Sequence, residues 1–492
     1  MNNYIGIDLG TSGVKILLVN VNGNILAEVN KAYPVLYPQA GWTEQNPEDW
    51  YNATINGLRE VLNGVDKQTV KGISFGGQMH GLVALDKQDQ VIRPCILWND
   101  GRTEKQTKYF NETVGQSKLS QYTGNIAFAG FTAPKILWLK ENEPNNYKRI
   151  AKILLPKDYL AYKLTGKYCT DYSDASGMLL LDVKNKRWSK EMCDVCGITE
   201  KQLLELHESY DVIGTILPEL AKELGLSQNV KIVIGAGDNA AAAIGTGTVG
   251  NGKCNISLGT SGTIFLSSNK FTVDDKNALH SFCHADGNWH LMGCILSAAS
   301  CRKWWLEDIL GTTDYATDEK EIAKVETNGL LFLPYLSGER SPHNDVNAKG
   351  AFIGFTSTTT KAQMSKAVME GVAFALRDCL EVARANGLAV TNATICGGGA
   401  KSKTWRKIVS NVLNLPLSTP QTEQGPSYGA AILAMVGCGE YENVQSAINN
   451  LIQYKDEIQP NKATAQNYNE KYQLFKQLYP LLKEIFAKKS RY

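Results

Sequence analysis

The sequence has 492 residues, too many for one compact core, so two or more domains are expected. Lys and Arg number 51 against 49 Asp and Glu, a formal net charge of +2, which leaves no basic excess for nucleic acid and no charged tail. With 43% apolar and 20% charged residues the composition is that of an ordinary globular chain, and no uninterrupted apolar run is long enough for a bilayer.

Met1-Asn2-Asn3 leads directly into a strand, without the charged and then apolar leader of a secretory signal. Residues 4–29 read as a three-stranded meander, with Asn22-Gly23 as the hairpin turn between 14–21 and 24–29. Pro47 opens an amphipathic helix carrying Trp50, Ile55, Leu58 and Leu62 on one face. A strand over 70–75 runs into the loop Gly76-Gly-Gln-Met-His-Gly81 and then a strand over 82–85. Residues 103–230 are expected to be mainly helical. A buried-type strand over 231–234 ends in Gly235-Ala-Gly-Asp238, before an alanine-rich helix over 239–244. The glycines of 245–252 mark the domain boundary, dividing the chain into 1–247 and 248–492. Thr360-Lys-Ala-Gln363 is a capping box that opens a long helix, closed by Gly387. A strand over 390–396 enters Gly397-Gly-Gly-Ala-Lys-Ser402, and Ser402 is placed to cap the helix 403–413. The stretch 425–435 is a small-residue helix suited to close packing, and 464–489 is a peripheral helix.

One stretch occurs twice. Ile7-Asp-Leu-Gly-Thr-Ser-Gly13 and Ile256-Ser-Leu-Gly-Thr-Ser-Gly262 differ only in Asp8 and Ser257. Each copy lies between two apolar runs and reads as strand, Gly-Thr-Ser-Gly turn, strand. Such a turn aims backbone N–H groups and two hydroxyls at one spot, a cradle for an anion. Two cradles in two similar halves suggest one polyphosphate held between two lobes. Only the first carries a carboxylate, so only that side would meet a hard cation such as Mg2+.

Other chemistries find no support. There is no Gly-x4-Gly-Lys-Ser/Thr loop. Gly245-Thr-Gly-Thr-Val-Gly250 follows a helix and precedes a strand, the reverse of a dinucleotide fingerprint. No two histidines have metal-ligand spacing, and no nucleophile elbow is present. The 11 cysteines are scattered and odd in number, as reduced thiols in a cytoplasmic protein would be. Cys193 and Cys196 form a close pair without a second pair to complete a zinc set.

Asp238 is the strongest candidate for a proton acceptor, because it stands where a strand gives way to a helix. The same position suits a plain N-cap, and one carboxylate can serve both roles. Asp8 is either a metal-side acid or a turn-stabilising aspartate. Lys15 either touches phosphate or is a solvated strand residue. Gly397, Gly398 and Gly399 either admit a flat adenine and its ribose or form a simple strand-to-helix turn. Gln78, Met79 and His80 offer polar reach and an apolar contact suited to a polyol, although a lone loop histidine is often merely exposed.

The repeated turn, Gly237-Asp-Asn239, Gly397-Gly-Gly-Ala-Lys401, Pro134-Lys-Ile-Leu-Trp138, 158–166 and Pro334-Tyr-Leu-Ser-Gly-Glu-Arg340 together resemble the FGGY carbohydrate kinases over residues 4 to about 436. Gly77–Gly81 with Leu97-Trp-Asn-Asp-Gly-Arg102 resembles the branch acting on xylulose. The resemblance implies an α/β, two-domain ribonuclease-H-like (actin-like ATPase) fold with a catalytic cleft between the lobes. It implies sugar binding and the first phosphate hairpin in 1–247, and the second hairpin and adenosine binding in 248–492. Asp238 is implied as base and Asp8 at the Mg2+ and phosphate side. Met79, His80 and Asn239 are implied at the sugar, Thr11, Ser12 and Thr260 beside the ATP phosphates, and Gly398 and Gly399 at the adenosine. Gly259, in the second turn, and Lys15 join the nucleotide set. Lys403 stands where glycerol kinases place an adenine-contacting asparagine, and Met79-His80 replaces their Arg-Glu clamp. The implied partners are a small sugar and ATP, with neither nucleic acid nor membrane. A homodimer is compatible with the sequence, which carries no readable signal of oligomeric state. Two alternatives remain: a sister kinase for another ketose or gluconate, and an actin-like nucleotide-driven chaperone or assembly protein.

Overall fold

Two seven-stranded sheets carry the chain. The computed structural model describes residues 1–489, so the last three residues of the expected second domain lie outside it. The first sheet runs in the order Val212–Thr215, Lys231–Val233, Val70–Gly77, Asn3–Leu9, Gly13–Asn20, Ile25–Ala32, with Ala236–Gly237 also beside Val70–Gly77. The second runs His280–Cys283, Trp289–Ile295, Gly262–Ser268, Lys253–Leu258, Asn392–Cys396, Leu417–Pro420, Tyr454–Ile458.

The two sheets share one pairing pattern. From Ile25–Ala32 inward the successive pairs are antiparallel, antiparallel, parallel, parallel, antiparallel. From Trp289–Ile295 inward the second sheet repeats that series. Each copy of the seven-residue repeat occupies the same hairpin of its own sheet. This is the doubled ribonuclease-H-like architecture.

The central strands are buried on both faces, as parallel-paired strands between helices must be. Ile5, Ile7 and Leu9 enter a core shared with Trp50, Leu58 and Val61 of the helix Pro47–Val61. Tyr4, Leu17 and Val19 enter the opposite core, with Ala240, Ala241 and Ile244 of the helix Asp238–Gly245 and Ala431 to Met435 of the helix Gly425–Cys438. In the second sheet, Cys254, Ile256 and Leu258 pack under the helix Lys361–Ala385, which begins with the expected Thr360–Gln363 capping box. Ser402 caps Lys403–Leu413, its hydroxyl accepting from Trp405 N–H at 3.0 Å.

The helix Gly425–Cys438 belongs to the second half by sequence but lies on the first sheet. Its small residues allow backbone-to-backbone approach. A Cβ added at Gly429 would lie 1.8 Å from Ala241 O, and one at Gly6 would lie 1.9 Å from Ser427 O. The halves also join along a second seam. Asn125 donates to Ser281 O at 2.9 Å and accepts from Ser281 N–H at 3.1 Å. Cys283 N–H donates to Ser176 Oγ at 2.9 Å, and Phe282 and Met292 pack with Phe131 and Met79.

Residues 103–230 differ from expectation. They hold helices, but six short strands interrupt them, including Cys169–Asp171 and Glu205–His207. Strands of two to four residues are too short to leave a period in the sequence. Among the described residues no helix is long and apolar enough to cross a membrane, and all the cysteines are free.

Gly429→Ala tests the helix contact. At an exposed helix site this change stabilises by about 1 kcal/mol. Here the methyl has no room, and a loss of about 1–3 kcal/mol is expected from overpacking, read as a lower melting temperature.

Candidate active site

Three segments reach one edge of the first sheet. Asn3–Leu9 ends with Asp8 and the first Gly-Thr-Ser-Gly turn, Val70–Gly77 runs into Gln78-Met79-His80, and Ala236–Gly237 runs into Asp238. Register places Asp8 opposite Gly76, and Gly76 opposite Ala236. All three therefore share the carboxyl end of parallel strands, where open α/β sheets hold ligands.

Strand alternation decides the direction of Asp8. It shares a face with Tyr4, and Tyr4 packs toward the helix Asp238–Gly245. Burial pushes the Asp8 carboxyl up to about 7; the Asp238 charge adds to this, and Lys15 opposes it. Burial likewise raises Asp238 to about 6, against hydrogen bonds from Asn239. Asp238 is the first residue of its helix rather than the N-cap, a position that Gly237 holds. Its Oδ1 accepts from Asn239 N–H at 2.7 Å and from Asn239 Nδ2 at 2.9 Å.

Asp238 and Asn239 line a cavity of about 690 Å3, with Ser257, Gly259 and Gly398 on its far walls. Ser257, the counterpart of Asp8, Gly259 and Ser261 bring the second repeat to this space. A second cavity of about 640 Å3 is lined by Thr260, Gly398, Gly399, Tyr315 and Trp405. The two cavities share Gly398, where an added Cβ would meet no atom within 4 Å. Gly399 instead packs against Leu258 and Trp405. A cavity with Asp238 on one wall and Lys401, Arg406 and Lys455 among its other lining residues, joined to one with an aromatic wall, suits an elongated ligand with a charged end.

The first turn is held from behind. Thr11 Oγ1 donates to Gln78 Oε1 at 3.2 Å and accepts from Trp98 Nε1 at 3.0 Å. Gln78 Nε2 donates to Gln45 Oε1 at 2.9 Å, and Gln45 Nε2 donates to Thr11 O at 2.7 Å. Gln78 is buried and engaged by these protein partners. Ser12 and Thr260 are exposed at the tips of their turns. Lys15 donates to Gln424 Oε1 at 2.7 Å and lies 3.4 Å from Glu28, which ties the first hairpin to the turn before Gly425.

His80 is not an exposed loop histidine. Its backbone sits at φ +71°, and its ring packs on Phe131. Burial drives its pKa down to about 3, so it is neutral near pH 7. Nδ1 lies 2.8 Å from Gly177 O. A carbonyl only accepts, so Nδ1 carries the proton and Nε2 is left as an acceptor. Met79 packs on Gly237, beside Asp238.

Sequence reasoning missed the support behind Asp238. Buried Lys157 lies 2.8 Å from Asp158, 2.8 Å from Asp171 and 3.7 Å from Asp174. Asp171 Oδ2 accepts from Ser173 N–H at 2.8 Å and from Ser209 Oγ at 2.7 Å, while Ser173 Oγ accepts from Gly237 N–H at 3.2 Å. Charged residues spread over 157–174 read as solvated in a sequence; only the fold gathers them. The one usable signal was the density of acids around a motif already singled out.

Residues 3–245 match the model for the FGGY family of carbohydrate kinases, N-terminal domain, and residues 254–438 match its C-terminal domain. The chain belongs to that family. This FGGY kinase is 39% identical to the xylulose kinase of Bacillus subtilis, over 99% of this chain and 98% of that one. A solved structure of a "xyloylose kinase" from Brucella ovis superposes with a TM-score of 0.93 at 39% identity, covering 98% of this chain and 100% of that chain. A solved gluconate kinase from Lactobacillus acidophilus gives 0.94 at 27% identity, with 99% of each chain covered. The protein is thus a sugar kinase of the two-lobed, actin-like fold.

Gly177→Ala tests the histidine. The added methyl would fall 2.3 Å from His80 Nδ1, so the ring must move. The KM for sugar is expected to rise about 10-fold or more, the cost of roughly one misplaced hydrogen bond, with the KM for ATP unchanged in steady-state assays.

Proposed function

We propose that this kinase transfers the γ-phosphoryl group of ATP to the C5 hydroxyl of D-xylulose, giving D-xylulose 5-phosphate, in the cytoplasm and without nucleic acid or membrane partners. Asp238 carries the reading: a carboxylate at the carboxyl end of parallel strands, on the wall of a cavity that the second phosphate turn borders through Gly259 and Ser261. The sugar choice rests on 39% identity, over nearly the whole chain, to enzymes named for xylulose.

The residues fit magnesium. Asp8 and Asp238 are close enough for one charge to raise the other's pKa, and oxygen donors of this kind suit a hard dication. Asp8 would hold the ion, directly or through water; when bound, it neutralises charge developing on the phosphoryl oxygens.

The chain's own residues do the rest. The backbone and hydroxyls of Thr11, Ser12, Gly259 and Thr260 grip the polyphosphate from two sides. Gly398 and Gly399 border the nucleoside end. His80 Nε2 accepts from a sugar hydroxyl, Met79 covers an apolar edge, and Asn239 holds the Asp238 carboxylate in place. Asp238 orients the attacking hydroxyl and takes its proton as the bond to phosphorus forms. Most of the acceleration comes from positioning and charge stabilisation, since the transition state is loose.

Asp238→Asn is expected to lower kcat by about 10²–10⁴-fold, with ATP binding retained; near-normal turnover would remove Asp238 from the mechanism. In the native enzyme the base must be ionised. Because burial raises its pKa, kcat/KM is expected to fall below about pH 6 rather than below the ordinary carboxylate range. A coupled ADP-release assay over ketoses and gluconate should give D-xylulose the highest kcat/KM. A better substrate reassigns the sugar, and fast sugar-independent hydrolysis points to the chaperone class.

A further inference from the structure

The short parallel pair Cys169–Asp171 and Glu205–His207 lies outside the cleft. Register sets Glu205 directly opposite Cys169. His207, two residues on, shares the face of Glu205. The thiol sulfur, one carboxylate oxygen and one ring nitrogen all lie within 4.8 Å of one another.

Two further observations point to a ligand. His207 Nε2 is buried and has no hydrogen-bond partner among the described residues. Its nearest charged atom is Glu205 Oε1 at 3.8 Å, too far for a hydrogen bond. Two donors around a tetrahedral zinc stand about 3.4 Å apart, so a small adjustment suffices. On the far side of the ring, Nδ1 faces Asp211 Oδ2 at 3.8 Å. At 3.8 Å that contact is not a hydrogen bond; closing to about 2.8 Å on metal binding would make it the outer support usual for a metal-bound imidazole.

We propose that Cys169, Glu205 and His207 form a zinc site separate from the magnesium site of the cleft. A thiolate, an imidazole and a carboxylate favour zinc over magnesium or calcium. Asp171, the remaining acid on this face, is already engaged by Lys157, Ser173 and Ser209, so water completes the tetrahedron. Binding releases the thiol proton to solvent and involves no redox change. The ion braces the strand that ends in Asp171, and hence the support behind Gly237. Zinc should therefore raise the melting temperature by mass action, with little effect on turnover.

The test uses the full-length protein, stripped of metal and titrated with Co2+ and then Zn2+. The expected result is one Co2+ per chain outside the cleft, with a thiolate-to-cobalt charge-transfer band that Zn2+ abolishes. Cys169→Ser and His207→Ala should lose that band. Glu205→Gln, at an exposed position, should weaken binding without disturbing the fold, and Asp211→Asn should weaken it about 10–100-fold. Cobalt held by the cleft acids gives no thiolate band, so failure of the magnesium assignment reads out separately. No such band in the native protein, or an equal band in Cys169→Ser, overturns the proposal.

Discussion

The contact between the helices Asp238–Gly245 and Gly425–Cys438 is the constraint on which the site depends. It is a backbone contact: glycine and alanine bring Gly429 against Ala241 and Gly425 against Gly245. At these glycines no side chain stands between the two helices to absorb an error. The first helix begins with the proposed base, and the second is reached directly from Gln424, which Lys15 of the first hairpin holds. The position of Asp238 is therefore set by elements from both halves of the chain. Interiors packed this tightly transmit displacement rather than damp it.

Behind that contact the charges are uneven. One buried lysine stands among three buried aspartates, and burial raises Asp174 well above the ordinary carboxylate range, with its acidic neighbours adding to the effect. Asp8 and Asp238 extend the acidic region to the cleft. A region with more acids than bases, closed on one side by protein, favours a divalent cation at its open side. In the proposed reaction the anionic polyphosphate is received by backbone N–H groups and hydroxyls, with Lys401, Arg406 and Lys455 on the cavity wall.

Much of this was legible in the sequence. Asn22-Gly23 and the repeated Gly-Thr-Ser-Gly turn marked hairpins because their backbone demands leave few alternatives. The capping signals at Thr360 and Ser402 were local and held. What stayed hidden was long-range. Gln78 looks like a ligand-binding amide until Gln45, Thr11 and Trp98 close around it. His80 looks exposed until Phe131 and Gly177 enclose it. Asp238 looks like a cap because composition cannot tell it from Gly237, one residue earlier. The strands holding Cys169 and His207 are too short to announce themselves, and their ligand atoms meet only through sheet register.

The seam between Asn125 and Ser281 bears on how such a molecule moves. Reciprocal amide bonds and the apolar packing of Phe282 against Phe131 give that line no freedom to slide. Any breathing of the lobes must therefore turn about it, as a door turns about its jamb. His80, next to Phe131 and Phe282, sits beside this line. In the proposed reaction the sugar is therefore bound beside the seam that joins the halves.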